Sequence, residues 1–142
     1  MDRAIHGVRD ADLKETEALP AAAGTVYTDG IDLGALSDRG GRFLDGEGLL
    51  SAPALTGTQL PDTTTMTYSI QSSATSDFQN ATTLAGSCIV QTGDTGAAAA
   101  TFRFKIPSNC QRYIRAVAVG ADVGNASLGN CAASEMTLEL LF

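Results

Sequence analysis

Hydrophobic and polar residues alternate along most of the chain after residue 24, and a period of two is typical of β-strands that bury one face. Met66, Tyr68 and Ile70 alternate with threonine and serine, while Phe102 and Phe104 alternate with polar and basic residues. Residues that favour turns, mainly Gly, Pro, Asp, Ser and Asn, separate these runs. The segments that fit a strand are 25–28, 31–33, 48–51, 64–71, 84–91, 101–106, 112–119 and 135–142. The pattern therefore predicts an all-β protein, and eight strands suit a two-sheet antiparallel β-sandwich.

Three of these segments allow more specific predictions. The strand over 112–119 carries hydrophobic residues on both faces, so we expect both faces to be covered. The strand over 135–142 alternates strictly, and we expect Phe142 to pack into the sheet or against another subunit. Two tracts rich in Gly and Ala, 91–100 and 120–130, are predicted to be loops.

The first 20 residues differ from the rest of the chain because they are rich in charge and end at Pro20. Residues 10–19 are long enough for two helical turns, although so short a helix is marginal unless it packs against something. We interpret residues 1–20 as an N-terminal arm, either flexible or docked, and residues 21–142 as the folded domain. This interpretation predicts that a chain without residues 1–20 still folds.

Composition and charge exclude several classes of function. No apolar run approaches the roughly 18 residues of a membrane-spanning helix, and the net charge of −7 argues against binding to nucleic acid or anionic lipid. One histidine, His6, and three cysteines make a structural zinc site improbable and leave few nucleophile–base pairs. We expect no metal, no cofactor and no catalytic residues, and therefore a protein that is not an enzyme.

Cys88, Cys110 and Cys131 are 22 and 21 positions apart, without the short spacing of metal or redox sites. Small buried thiols in a reducing compartment explain them best, although one disulfide bond stays possible. The residues at the start of the chain lack the apolar core of a secretory signal, so export by that route is not predicted.

Arg103, Lys105, Arg112 and Arg115 form the one basic cluster of the sequence, on two consecutive predicted strands. If these strands are neighbours, the four side chains meet on one surface and could dock an acidic partner. The alternative is that they balance acidic residues such as Asp77, Glu135 and Glu139 within the sheet.

Five short motifs carry a family resemblance. They are Ile31-Asp32-Leu33-Gly34, Thr67-Tyr68-Ser69-Ile70-Gln71-Ser72, Phe102-Arg103-Phe104 with Pro107, Arg112-Tyr113-Ile114-Arg115 and Thr137-Leu138-Glu139-Leu140-Leu141-Phe142. In this order and spacing, from about Leu19 onward, the chain resembles the capsid cement, or decoration, proteins of tailed bacteriophages. The charged segment Met1 to Leu19 and the cysteines Cys110 and Cys131 do not match that family.

The resemblance implies a jelly-roll β-sandwich, made in the cytoplasm of the host bacterium, that binds the outer surface of an icosahedral virion. There it would bridge subunits of the major capsid protein, with Arg103, Lys105, Arg112 and Arg115 as candidate capsid contacts. It would also form a homo-oligomer, a dimer or a trimer, with Tyr113 and Phe142 as candidate subunit contacts.

Three other functions stay open at this point. A head-fibre, tail or baseplate module that recognises host glycans would need exposed aromatic platforms, and the chain has no Trp and three Tyr. A small hydrolase would need a carboxylate pair or a metal cluster in a cleft. An oligomeric structural protein outside viruses would share every prediction made for the fold.

Overall fold

The protein, described by a computed structural model over residues 9–33, 46–107 and 109–141, consists of strands and connecting loops. No helix occurs within these ranges, so no helix there could cross a membrane. Every strand pairing is antiparallel. The prediction of an all-β, antiparallel protein is therefore confirmed. The strands are β1 (Arg9–Ala18), β2 (Gly24–Tyr27), β3 (Ile31–Asp32), β4 (Glu47–Ala52), β5 (Leu55–Thr56), β6 (Thr65–Ser73), β7 (Thr82–Thr92), β8 (Gly96–Ala97), β9 (Ala100–Lys105), β10 (Tyr113–Ala121) and β11 (Glu135–Leu141).

The strands form two main sheets and one small pair. The first sheet has the order β1-β11-β4-β9, and the second has the order β2-β10-β6-β7 with β3 also paired to β10. β5 and β8 pair separately. Between β2 and β3, Thr28 bonds to Ala116 of β10 twice, since its N–H donates to the carbonyl oxygen (3.0 Å) and its Oγ1 accepts from the N–H (2.9 Å). β2 and β3 are thus two parts of one interrupted edge strand.

The pairings are nested along the chain. β1 pairs with β11, β2 and β3 pair with β10, β4 pairs with β9, and β6 pairs with β7. Each pair lies inside the previous one in the sequence, as in a long hairpin. Two further pairings, β11 with β4 and β10 with β6, then join these pairs into the two sheets.

The hydrophobic core lies between the two sheets. The second sheet contributes the alternate residues Met66, Tyr68 and Ile70 of β6, which are completely buried, as the alternation predicted. The first sheet contributes alternate residues of β4 and β11, including Leu138 and Leu140. This arrangement is that of a β-sandwich.

All eight predicted strands occur, and three further strands were not predicted. β5 and β8 are two-residue strands, and β8 falls in a tract predicted to be a loop. The helical turns considered for residues 10–19 are wrong, because residues 9–18 form β1. Lys14 and Thr16 lie opposite Glu139 and Thr137 of β11, and Leu19 is buried just after the strand. Residues 9–18 of the segment interpreted as an arm are therefore an edge strand of the first sheet, and residues 1–8 lie outside the described residues.

Loop residues close one end of the sandwich. Leu60 and Leu128 are buried there, and the N–H of Gly129 donates to the carbonyl oxygen of Gln59 (3.0 Å). A side chain at Gly129 would drive its Cβ atom into the carbonyl oxygen of Thr58. Only glycine allows the two backbone segments to approach this closely.

Candidate interaction surfaces

The four basic residues of the predicted cluster do not meet on one surface. Arg103 and Lys105 lie on β9 in the first sheet, whereas Arg112 and Arg115 lie at the start of β10 in the second sheet. The assumption that the two strands are neighbours is wrong, since the chain crosses from one sheet to the other after Lys105. Sequence proximity alone does not distinguish such a crossover from a hairpin.

Arg103 and Lys105 lie on the outward face of β9, and both are exposed. Glu47 of β4 is the register partner of Lys105. Nη1 of Arg103 is 3.7 Å from Oε1 of Glu47. At this distance and exposure the ion pair contributes little to stability, so both basic side chains can still meet an acidic partner.

Arg112 has an acidic partner within the chain. Its Nε and Nη2 donate to the two carboxylate oxygens of Asp32, at 2.8 and 3.0 Å. This two-pronged bond ties β3 to the start of β10. Arg112 therefore balances an acidic residue within the sheet, which is the alternative role that the sequence analysis gave the basic cluster. Its partner, however, is Asp32, and not Asp77, Glu135 or Glu139.

Arg115 is held between two aromatic rings. Its guanidinium carbon is 3.8 Å from the ring centroid of Tyr27 and 4.2 Å from that of Phe78, a double cation–π contact. Nε and Nη2 both donate to Oε1 of Gln71, at 3.0 and 2.9 Å. Burial lowers the pKa of Arg115, but an arginine stays charged at neutral pH. We call this group of Tyr27, Gln71, Phe78 and Arg115 the arginine clamp.

The clamp depends on the local backbone around Phe78. This residue has a φ of +54°, a left-handed conformation that is rare for an aromatic residue, and only 7% of its surface is exposed. Gly30 makes room for the ring, because a Cβ atom there would lie 2.6 Å from Cε2 of Phe78. The clamp thus joins β2, β6, the β6–β7 loop and β10.

Of the two predicted subunit contacts, the structure describes one. Tyr113 is partly exposed on the outward face of β10, with the guanidinium carbon of Arg112 at 5.2 Å from its ring centroid. Phe142 lies outside the described residues.

Three consecutive rows of cross-strand neighbours at one end of the outward face of the second sheet carry no charged side chain, and the next row along β10 contains Arg115. We call these rows the neutral face. They are Thr25-Val119-Thr67-Val90, Tyr27-Val117-Ser69 and Ala121-Thr65-Thr92. Val117 is buried, but Tyr27, Val90 and Val119 are 44%, 54% and 39% exposed. The prediction that both faces of β10 are covered is therefore wrong for Val119.

The outward face of the first sheet is charged. Charged side chains from all four strands lie on it: Lys14, Glu139, Glu47, Arg103 and Lys105. Between them are the uncharged side chains of Thr16, Thr137, Leu49 and Ser51. Glu139 is only 6% exposed, with Lys14 opposite it on β1 and Leu49 opposite it on β4. The two outward faces of the sandwich thus differ in character, a difference that the sequence analysis did not identify.

All three cysteines are free thiols. Cys131 is buried, Cys88 and Cys110 are half-buried, and Sγ of Cys88 donates to the carbonyl oxygen of Tyr68 (3.3 Å). Burial raises the pKa of each thiol, and that of Cys110 to about 11. A thiol with a raised pKa is a weak nucleophile, so these cysteines fill space in the core.

In the part of the chain that the structure describes, no three His, Cys, Asp or Glu residues are grouped as a metal site.

No protein-family model matches the chain, and no curated protein shows significant similarity to it.

Proposed function

We propose that the protein is a structural virion protein that binds the outer surface of an icosahedral phage head and bridges neighbouring major capsid protein subunits. The observation that carries this proposal is where the five cement-like motifs lie. The motifs at 31–34, 67–72 and 112–115 overlap β3, β6 and β10, which are neighbours in the second sheet. Those at 102–107 and 137–142 overlap β9 and β11, which both pair with β4 in the first sheet. The residues that carry the resemblance thus come from strands of both sheets.

The fold proposed for this role is a jelly roll. Its support is the nested pairing described above, with β2 and β3 counted as one strand and the β5–β8 pair set aside. Eight strands then remain, and strand one pairs with strand eight, two with seven, three with six and four with five. Eight antiparallel strands divided between two packed sheets are the pattern of the jelly roll.

An arm that contacts the capsid is a further part of the proposal. β1 supports it because, among the described strands, β1 pairs with β11 alone and lies at the edge of the first sheet. The outer side of an edge strand carries backbone groups that can pair with an extended segment of another protein.

Arg103 and Lys105 are the proposed capsid contacts with the strongest support. They are exposed on the edge strand β9 and form a small basic area on a chain of net charge −7. Arg112 and Arg115 are engaged within the chain. Many copies that each bind weakly would together hold the shell closed, because several must dissociate before a junction opens.

Counting copies in purified particles tests the role directly. The chain and the major capsid protein are quantified from one gel of particles purified from the source. A simple ratio to the capsid protein is expected for a protein that covers the lattice. A handful of copies per particle would favour a fibre or tail module, and absence from the particles would overturn the proposal.

Binding to heads made without this chain tests the proposed contacts. Purified protein is titrated onto such heads, and Lys105→Ala is compared with Asn125→Asp, which makes the same change in net charge at an exposed position of the β10–β11 loop, outside both edge strands. We expect Lys105→Ala to weaken binding and its salt dependence, and Asn125→Asp to leave both near wild type. Equal effects of the two variants would contradict the assignment to β9.

A role in glycan recognition has less support. The exposed aromatic side chain that the described residues offer is Tyr27, and Arg115 already covers one face of its ring at 3.8 Å. Sugar stacking on the other face of one tyrosine would make a small platform.

A further inference from the structure

Arg115 of the arginine clamp is bound on both faces and on one edge of its guanidinium group. The rings of Tyr27 and Phe78 cover the two faces, with centroids 3.8 and 4.2 Å from the guanidinium carbon. Nε and Nη2 form one edge, and both donate to Oε1 of Gln71. A guanidinium group directs its five N–H donors outward in its own plane. A second edge therefore remains, which consists of Nη1 and the other hydrogen of Nη2.

This second edge has no partner in the part of the chain that the structure describes. Arg115 forms no ion pair there, and its hydrogen bonds are those from Nε and Nη2 to Gln71. Nη1 is also not a buried atom without a partner, so it reaches water. Asp77, beside Phe78 in the sequence, accepts instead from Oγ1 of Thr75 (2.6 Å) and the N–H of Gln79 (3.0 Å). The positive charge of Arg115 is thus held in place without a carboxylate to compensate it.

Arg112, three positions earlier on the chain, shows the difference. Its Nε and Nη2 donate to the two oxygens of the Asp32 carboxylate, which compensates its charge. In Arg115 the same two nitrogens meet the amide oxygen of Gln71, which is an uncharged acceptor. Gln71 therefore fixes the orientation of the guanidinium group and leaves its charge available to a ligand.

The open edge suits a carboxylate. Its two N–H donors match the two oxygens of a carboxylate, and an arginine that is already held loses little side-chain freedom on binding. A nucleic acid or an anionic membrane would bring many negative charges to a chain of net charge −7, which repels them. The ring of Tyr27, which is 44% exposed, borders the site, and tyrosine is enriched where proteins meet. These features favour an acidic side chain of another protein.

We propose that the arginine clamp is a carboxylate-binding site, in which Nη1 and Nη2 of Arg115 donate to the two oxygens of an aspartate or glutamate side chain of a partner protein. The left-handed backbone of Phe78 has a use in this site, because it places the second ring against Arg115. That the partner is the major capsid protein rests on the proposed function, whereas the affinity of the clamp for a carboxylate does not.

Acetate is the probe that tests the site without particles. The ¹⁵N-labelled full chain is titrated with sodium acetate, with sodium chloride keeping the ionic strength constant, and the Nε–H signals are followed by NMR. We expect a saturable shift of the Arg115 signal with a dissociation constant on the order of 100 mM, because one partly exposed ion pair is weak. Arg103, whose side chain is 59% exposed, reports the shift that non-specific association gives.

Two variants locate the binding. Gln71→Glu keeps the shape of the clamp but compensates the charge of Arg115, so it should weaken acetate binding by more than about tenfold. Asn125→Asp makes the same change in net charge on an exposed loop and should bind acetate as the wild type does. Arg115→Lys keeps the positive charge without the paired donors, and the backbone N–H signal of Gln71 should then no longer show a saturable shift.

Three results would overturn the proposal. One is an Arg115 signal that shifts no more than that of Arg103, and another is an equal affinity of Gln71→Glu and Asn125→Asp. The third is sulfate shifting the Arg115 signal as strongly as acetate does, which would indicate a site for anions in general.

The partner is tested separately, by titrating the variants onto heads made without this chain. We expect Gln71→Glu to weaken head binding by about tenfold and Asn125→Asp to leave it near wild type. If Gln71→Glu binds heads like the wild type although it no longer binds acetate, the carboxylate is not on the capsid. Failure of the acetate test alone would leave the capsid proposal intact, so the two failures are distinguishable.

Discussion

Tyr68 is completely buried in β6, and its hydroxyl group donates a 2.7 Å hydrogen bond to Oε1 of Gln91 on β7. Gln91 is itself only 4% exposed, and its Nε2 donates to the carbonyl oxygens of Pro53 (2.8 Å) and Ala98 (3.0 Å). One amide group thus joins the centre of the second sheet to two loops. Tyr68→Phe keeps the ring in place but leaves the buried Oε1 atom without its donor.

The expected cost follows from burial. A neutral hydrogen bond contributes about 1 kcal/mol, and leaving a buried acceptor without a donor costs about 1–3 kcal/mol, so Tyr68→Phe should lower the free energy of unfolding by about 2 kcal/mol. With an m-value of about 2 kcal/mol/M, the midpoint of urea unfolding should fall by about 1 M. Tyr113→Phe, at a partly exposed position, is the control and should change stability by less than about 0.5 kcal/mol. A loss in Tyr68→Phe no larger than in this control would refute the reasoning.

Burial of Tyr68 should also make the stability of the fold depend on pH in the alkaline range. Burial raises the pKa of Tyr68 well above its ordinary value near 10. The unfolded chain therefore loses this proton at a lower pH than the folded chain. Stability falls as pH rises above about 10, with a contribution from this group of up to about 1.4 kcal/mol per pH unit. Tyr68→Phe should show a shallower fall over this range. Parallel curves for the two proteins would contradict the assignment.

Three further changes test the packing. A chain without residues 1–20 loses β1 and the buried Leu19, so its free energy of unfolding in urea should fall by about 3 kcal/mol. Light scattering should show aggregation through the uncovered edge of β11. Undiminished stability would support the separate arm inferred from sequence. Gly129→Ala should lower the free energy of unfolding by about 3 kcal/mol or more, because the new Cβ atom collides with backbone atoms. Gly124→Ala, at a position in open space with a φ of +60°, should lower it by about 1 kcal/mol. Equal melting temperatures of the two variants would contradict this difference. Phe104→Ala should cost about 3 kcal/mol, the low end of the range for buried aromatics, because Phe104 is partly buried beside Phe102 at a ring distance of 5.8 Å; an unchanged midpoint would remove it from the core.

Alternation made much of the core predictable. Met66, Tyr68 and Ile70 are buried because a strand with one face on the core must place every second residue there. The same rule identified Leu138 and Leu140 in β11. These are local properties of single strands, and the sequence of each strand contains them.

The parts that failed depend on residues far apart in sequence. β1 has few apolar residues and becomes a strand through pairing with β11, where Thr16 and Thr137 are 121 positions apart. The crossover after Lys105 separates Arg103 from Arg112, and nothing in the intervening residues distinguishes it from a hairpin. The arginine clamp needs Phe78 from another loop. The neutral face was visible in part, since Thr65, Thr67 and Ser69 take alternate positions of β6, but it emerges only when the strand order is known.

The nested pairing also has a consequence for synthesis of the chain. β1 is made before its partner β11, which follows 121 positions later, as measured between Thr16 and Thr137. At about 5–20 residues per second, β1 waits roughly 6–24 s on the ribosome before it can pair. Lys14, Glu15 and Glu17 keep this waiting strand polar and charged, which discourages pairing with strands of neighbouring nascent chains. The charge that made residues 1–20 look separate from the domain thus suits a strand that is made long before its partner.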